Sequence, residues 1–328
     1  MNGHDNPFRT VERSCLGISM DGLEFVTVKS RALGQRADVS LFVPPEARDI
    51  VDLPVVMLLH GIYGSHWSWA LQGGAHATAA RMIAEGLLPP VALVMPSDGL
   101  WGDGSGYVAH AGQDFERWII DEVPALATRL IEGCTTRSPL LVAGLSMGGF
   151  GALRLAAKHP HRIAAAAAHS AVTDVAQLDG MIEESRAGWS DACADRTVLG
   201  ALTHAASPLP PIRFDCGRDD ALSVANFALH QSLEEAGIAH EYAQRDGDHD
   251  WDYWTLALED SLRFFGTVLR RKAAATRATT SATASVATNL ATNPKPRGAA
   301  NEHRKESGRM GRDGGPARRV GVLGRAAR

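Results

Sequence analysis

The run Pro139-Leu140-Leu141-Val142-Ala143-Gly144-Leu145-Ser146-Met147-Gly148-Gly149 decides how this chain is read. It begins as an apolar stretch of strand length and passes into residues of helical pattern. The Gly-x-Ser-x-Gly spacing at the junction puts a serine on a sharp strand-to-helix turn, with its hydroxyl clear of the sheet edge and the next backbone N–H free. Gly144 and Gly148 suit such a turn because it crowds the serine backbone against residues two positions away on either side. Only a residue without a Cβ leaves room there for strained φ/ψ. A pattern this short carries weight only through its surroundings, so the rest of the chain must supply a sheet, a helix and partners for the hydroxyl.

Working outward, short apolar runs alternate with helical patterns from about Leu23 to Lys272, the signature of an α/β fold. Leu23–Val28 and Ala37–Val43 read as two opening strands able to pair as a hairpin. Val55–Leu59, Val91–Met95, Leu140–Ala143 and Ile212–Cys216 read as buried parallel strands, and Ile163–Ala168 as a further strand despite its alanines. Phe115, Ile119, Val123, Leu126 and Leu130 form one helical stripe, which Pro124 should kink. Phe227, Leu229 and Leu233 form another, closed by Gly237, and Trp254, Leu258, Leu262, Phe265 and Leu269 form the last. The fold expected is α/β, a mostly parallel central sheet with helices on both faces. The stretch 172–211 breaks the alternation and is expected as an insertion over the site, carrying the large aromatic Trp189.

Charge divides the chain more sharply than hydropathy does. The whole carries a formal charge of -4, yet the residues from Ala273 onward hold eleven Lys and Arg against three Asp and Glu, leaving the first 272 residues near -12. That basic tail, 273–328, is Ala/Thr-rich and then Gly/Arg-rich, with no aromatic residue, and is expected to be disordered. Its arginines allow weak, salt-sensitive contact with nucleic acid, but a solvated appendage is the simpler reading. The domain reading is therefore an N-terminal segment 1–19, a catalytic body 20–272 and the tail. No apolar run is long enough to span a bilayer and Met1 to Ser14 is polar, so a cytoplasmic location without membrane attachment is expected. The four cysteines, Cys15, Cys134, Cys193 and Cys216, are widely spaced and expected to be reduced, with Cys216 buried and inert.

A serine hydroxyl is a poor nucleophile at neutral pH, so Ser146 needs a base within hydrogen-bond reach and an acid to orient that base. Gly217-Arg218-Asp219-Asp220 follows the strand ending at Cys216, and Gly247-Asp248-His249-Asp250-Trp251 precedes the last helix. Ser, Asp, His is the chain order of α/β-hydrolases. Asp220 is the acid chosen, with Asp219, suited to bonding the turn backbone, and Asp215, still in the strand, as competitors. His249, on a glycine-bearing loop anchored by a helix, is the base chosen over His60, His110 and His169. Leu58-Leu59-His60-Gly61-Ile62-Tyr63-Gly64 is a strand followed by a glycine-bearing loop, from which Ile62 is expected to donate an oxyanion N–H alongside Met147. Tyr63, Trp101 and Trp189 are the candidate substrate-binding residues. The segment Ser97 to Tyr107 follows a strand end, and its aspartates could meet a hydroxylated or cationic acyl acceptor. No metal or cofactor is implied.

These segments, with Gly148-Gly149-Phe150-Gly151-Ala152-Leu153, Cys216-Gly217-x-x-Asp220 and His249-Asp250-Trp251-x-x-Trp254, resemble the esterase D-like family of α/β-hydrolases. That family includes S-formylglutathione hydrolases, feruloyl and acetylxylan esterases and mycolyltransferases. The resemblance spans most of residues 20–272 and implies a triad at Ser146, Asp220 and His249. It implies a serine carboxylic ester hydrolase working on small acyl esters through an acyl-enzyme. S-formylglutathione hydrolases usually carry a Ser-Gly-Leu-Thr-Cys-like segment where this chain has His60-Gly61-Ile62-Tyr63-Gly64, and the polysaccharide-directed and mycolyl-transferring members are generally exported. An acyltransferase, an S-formylglutathione-type thioesterase and a non-catalytic binding protein that kept the fold are the alternatives, with a small-molecule ester as the expected partner in the first reading.

Overall fold

Buried strands with apolar residues on both faces must be covered by helices on both sides, and this requirement shapes the computed structural model. It describes residues 8–14, 22–190 and 196–292. The strands are β1 (Phe8–Arg13), β2 (Leu23–Ser30), β3 (Arg36–Phe42), β4 (Val55–Leu59), β5 (Ala92–Pro96), the short pair β6 (Ala109–His110) and β7 (Gln113–Asp114), β8 (Leu140–Leu145), β9 (Ile163–His169), β10 (Ile212–Gly217) and β11 (Glu241–Arg245). Apart from the β6/β7 hairpin they form one sheet in the order β1-β2-β3-β5-β4-β8-β9-β10-β11. The β1, β2, β3 edge is antiparallel, and from β5 across to β11 every neighbouring pair is parallel.

Alternate residues of each strand feed opposite cores. Val55, Met57 and Leu59 point into one apolar cluster with Phe115, Trp118, Phe150 and Leu229, whereas Val56 and Leu58 point into another with Met82, Leu258, Leu262 and Phe265. The covering helices are α1 (Ser68–Leu71), α2 (Ala75–Ala84), α3 (Phe115–Arg117), α4 (Val123–Leu130), α5 (Met147–Lys158), α6 (Val198–Thr203), α7 (Ser223–Glu235) and α8 (Trp251–Thr292). The stripe beginning at Phe115 is divided as Pro124 requires. One π-helical stretch, Trp118–Glu122, absorbs the change before α4 begins with Pro124 in its first turn, where a missing N–H costs nothing.

The expected strands and helices all form, Ile163–His169 included, and the hairpin of β2 and β3 pairs Leu23 with Phe42 as its outermost register. The short β6/β7 pair and two strands of the main sheet went unseen in the sequence. β1 lies inside the segment set aside as N-terminal, and β11, Glu-Tyr-Ala-Gln-Arg, has no apolar run because it is an edge strand with half-exposed side chains. The last helix carries on past Lys272, where order was expected to end, to Thr292. Alanine is the strongest helix former and fills much of that stretch. By its contacts the chain divides after Arg277; of the second unit, Ala278–Arg328, the helical part to Thr292 is described. The rest of the expected tail, 293–328, lies outside the described residues, as do Cys15 and Cys193. Cys134 and Cys216 are buried free thiols; burial pushes Cys134 up to about 11 and raises Cys216 further, which leaves both protonated and unreactive.

One buried ion cluster ties α3 to the helix after Ser146. Glu116 accepts from Arg154 at 2.7 Å, Lys158 at 2.9 Å and His159 at 2.8 Å, and Arg154 is itself 1% exposed. Burial pushes the Glu116 carboxyl up, but these donors outweigh it and hold it at about 2, against an ordinary 4.5. A carboxylate held low stabilises the fold above its unfolded value and loses that contribution as pH falls through its folded value. We expect Glu116→Gln to cost about 2–4 kcal/mol in urea unfolding near neutral pH. The gap between the two proteins should close progressively as pH drops below about 4.5 toward about 2, because protonated Glu116 then resembles glutamine.

Candidate active site

Parallel strands deliver their carboxyl ends to one sheet edge, and the loops leaving that edge gather the reactive side chains. In the register of the sheet, Leu59 lies beside Gly144, Leu145 beside His169, and Asp215 beside His169. Ser146 follows at once, as the N-cap of α5, with φ 52 and ψ -119. Its N–H donates to His169 O at 2.9 Å, fixing a conformation that a residue with a Cβ rarely adopts. The glycines meet the demand that the sequence placed on them. A Cβ on Gly144 would sit 2.1 Å from Gly148 O, and one on Gly148 would sit 2.3 Å from Leu59 O.

His249 and Asp220 arrive from loops after β11 and β10. Ser146 Oγ lies 3.1 Å from His249 Nε2, and His249 Nδ1 donates to Asp220 Oδ2 at 2.8 Å. The other Asp220 oxygen accepts the Leu222 N–H at 2.7 Å. Burial pushes the Asp220 carboxyl up, but the bonds from His249, Ser170 and Leu222 outweigh it and hold it below the usual carboxylate range. An ionised acid at Nδ1 leaves the Nε2 lone pair facing the serine hydroxyl. The two loops are clamped together: Arg218 N–H donates to Arg245 O at 2.8 Å, and Asp219 N–H to Gly247 O at 3.1 Å. The edge of Trp254 meets the His249 ring at a centroid distance of 4.9 Å, so the imidazole has little freedom to turn.

The competing histidines and Asp215 are committed elsewhere, while Asp219 is exposed on the turn after β10 and meets Gly247 through its backbone N–H. His60 donates Nδ1–H to Gly61 O at 2.7 Å and accepts the Asp98 N–H at Nε2 at 2.9 Å. His110 bonds Ser105 O and stacks on Trp189. His169, fully buried, donates to Asp215, which also accepts from Arg213 and Tyr253. Asp98 accepts the N–H groups of Leu100 and Ser105, and Asp103 that of Glu183, so both carboxylates of the Ser97 to Tyr107 segment close its own turns and its neighbours'.

A cavity of about 390 Å³ opens in front of Ser146 and His249. Ile62 and Tyr63 line it beside Ser146, while Trp67, Gln72, Trp251 and Trp254 form other parts of its wall. Of the three aromatic candidates only Tyr63 is there. Trp101 packs on His110 and Trp189, 4.5 and 5.9 Å between ring centroids, and Trp189 is 6% exposed within the core. The 172–211 excursion contributes Met181 instead. It is tied to the Ile62 loop through several bonds: Tyr63 O–H donates to Met181 O, Tyr63 N–H to Asp103 O, and Asp103 N–H to the Glu184 carboxylate at 3.1 Å. Trp67 and Trp251 were missed because tryptophans beside core positions read as core; the one signal was that Trp251 stands two residues from His249.

The backbone N–H groups of Ile62 and Met147 donate to no acceptor among the described residues, and both residues adjoin the serine, Met147 in sequence and Ile62 across the cavity. Among the described residues no group of three or more His, Cys, Asp or Glu side chains is placed to hold a metal, and no helix is long and apolar enough to cross a membrane.

Residues 30–265 match the model of the family described as Putative esterase. The chain is 25% identical over 239 residues to an acetyl esterase of Caldicellulosiruptor saccharolyticus, a match covering 67% of this chain and 86% of that protein. Among solved structures it is similar to a ferulic acid esterase, with TM-score 0.65 and 24% identity over 79% of this chain and 98% of the other. It is also similar to FphF, a fluorophosphonate-binding serine hydrolase of Staphylococcus aureus, with TM-score 0.63 and 22% identity, covering 74% of this chain and 97% of that one.

The glycine contacts make a direct test. We expect Gly148→Ala to destabilise the protein by about 1–3 kcal/mol, the usual range for overpacking, because its Cβ meets fixed backbone rather than a side chain that can turn aside. Gly188→Ala, whose Cβ would approach nothing nearer than Ala111 at 3.9 Å, should leave the thermal midpoint within a degree or two of the parent, about the scale of a neutral surface change.

Proposed function

This chain belongs to the Putative esterase family, and within it we propose that Ser146, His249 and Asp220 form a catalytic triad that hydrolyses small acyl esters through an acyl-enzyme. It is a carboxylic ester hydrolase. The observation that carries the proposal is the unbroken chain of contacts from Ser146 Oγ to His249 Nε2 at 3.1 Å and from His249 Nδ1 to Asp220 at 2.8 Å.

The steps follow from that geometry. Ser146 Oγ attacks the ester carbonyl carbon while His249 Nε2 takes the hydroxyl proton, and the carbonyl electron pair moves onto oxygen. The Ile62 and Met147 N–H groups hold that oxyanion, and they need no reorganisation to do so. Collapse of the tetrahedral intermediate breaks the bond to the alcohol, which leaves with the proton from His249. Water then repeats the sequence on the acyl-serine, giving the free acid and restoring Ser146. Asp220 keeps the imidazole in the productive tautomer and stabilises its charged form, which is why its own ionisation must persist. The acetyl esterase relative supports a short acyl group as the first substrate to try.

We expect Ser146→Ala to fold like the parent and to lose turnover of 4-nitrophenyl acetate by about three to six powers of ten. Asp220→Asn should lose about four powers, through the wrong imidazole tautomer. Circular dichroism with initial-rate kinetics reads both, and parental activity in Ser146→Ala would refute the assignment.

A further inference from the structure

The cavity in front of Ser146 says something about charge. Among the described residues that line it there is no Asp, Glu, Lys or Arg; besides Ser146 and His249, His60, Tyr63 and Ser68 are engaged in hydrogen bonds, and Gln72 is the exposed polar side chain. The wall is aromatic. Tyr63 is 68% and Trp67 39% exposed, so flat ring surface is left open beside the serine. The Tyr63 hydroxyl is not available as a donor to a substrate anion, because it is spent on Met181 O.

The carboxylates set against lining residues are Asp220, which bonds His249 at 2.8 Å, and Asp98, 3.8 Å from His60, and the loop that carries His249 adds charge of the same sign. Asp246, Asp248, Asp250 and Asp252 surround His249 in the sequence. The cations close to them are engaged, Arg218 with Asp246 and Arg245 with Asp260. Beyond this the first 272 residues are near -12 in formal charge. An ester bearing a carboxylate would therefore lose hydration in an aromatic cavity with no cation to replace it, and would approach against a negative field. A neutral group with a flat ring or C–H face meets neither cost.

From this we infer that the site is selective for esters whose larger group is uncharged and flat-faced, and that it rejects anionic ones, glutathione thioesters included. The inference rests on Ser146 being the nucleophile and adds the charge and shape of what it attacks. Gln72 is the position that controls it: exposed, at the end of α1 and on the cavity wall, it has room for a longer side chain.

The test uses two acetates of the same ring size and similar phenol leaving groups, 4-acetoxybenzamide and 4-acetoxybenzoate, with S-acetylglutathione as a third arm. We expect kcat/KM for the amide to exceed that for the carboxylate by about tenfold or more at low ionic strength, the gap narrowing as salt screens the field. The glutathione thioester should be poorer still relative to its intrinsic reactivity. Gln72→Arg should raise the carboxylate-to-amide ratio by about tenfold, since it adds the missing cation. Equal kcat/KM for amide and carboxylate, or a ratio unmoved by Gln72→Arg in a folded protein, would overturn the selectivity. If the parent cleaves all three equally and Ser146→Ala none, the triad stands and the selectivity alone falls. If Ser146→Ala cleaves them like the parent, both fall.

Discussion

The close approach of β8 and α5 to the end of β4 constrains everything at the reactive edge. Ser146 must turn the chain from strand to helix in a single residue, and at φ 52 it does so at a conformational cost that only dense surroundings can hold. Gly144 and Gly148 let three backbones meet within contact distance, and the His169 carbonyl takes the Ser146 N–H. Because that turn fixes where the hydroxyl stands, every other group has to come to it. The parallel register then sets the distances. β4, β8, β9 and β10 end level with one another, so the loops leaving them start from a common line and need only short excursions to converge.

Asp220 and His249 illustrate how little each local segment decides. Asp220 and His249 lie 29 positions apart, yet their loops are joined by two backbone hydrogen bonds and by the close packing of Gly217 on Gly247, where a Cβ would come within 2.2 Å of a carbonyl oxygen. The imidazole is thus located from three sides, by Asp220, by the edge of Trp254 and by the helix that starts two residues later. Geometry of this kind belongs to the packing of the sheet edge as a unit.

The sequence made the meeting of Ser146, His249 and Asp220 legible because the chemistry proposed for them imposes spacing and order: glycines flanking the serine, an aspartate after a strand, a histidine before the last helix. It made the central strands legible because both faces are buried and so almost every residue is apolar. β11 escaped notice for the opposite reason, being an edge strand none of whose residues is fully buried. The cavity wall escaped for a different one. A tryptophan that ends in the core, such as Trp189, and one that lines a cavity, such as Trp251, have the same local pattern, and only the approach of distant loops separates them. Trp189 stacks on His110 and Trp101 meets it edge to face, away from the cavity where both had been expected.

The bonds from Met181, Glu183 and Glu184 to Tyr63 and Asp103 join the 172–211 excursion to the loop that carries Ile62. Glu184 seats its carboxylate where Gly102, at positive φ, has no side chain, so a Cβ at Gly102 would have to displace it. The excursion and the loop beside Ser146 are therefore a single mechanical part. Exchanging 172–211 for the corresponding piece of a relative, as a way to transplant substrate preference, would carry the wrong brace along with the new wall. Chimeras cut at those boundaries should pay in turnover, and a workable boundary has to take the 97–107 turn with it.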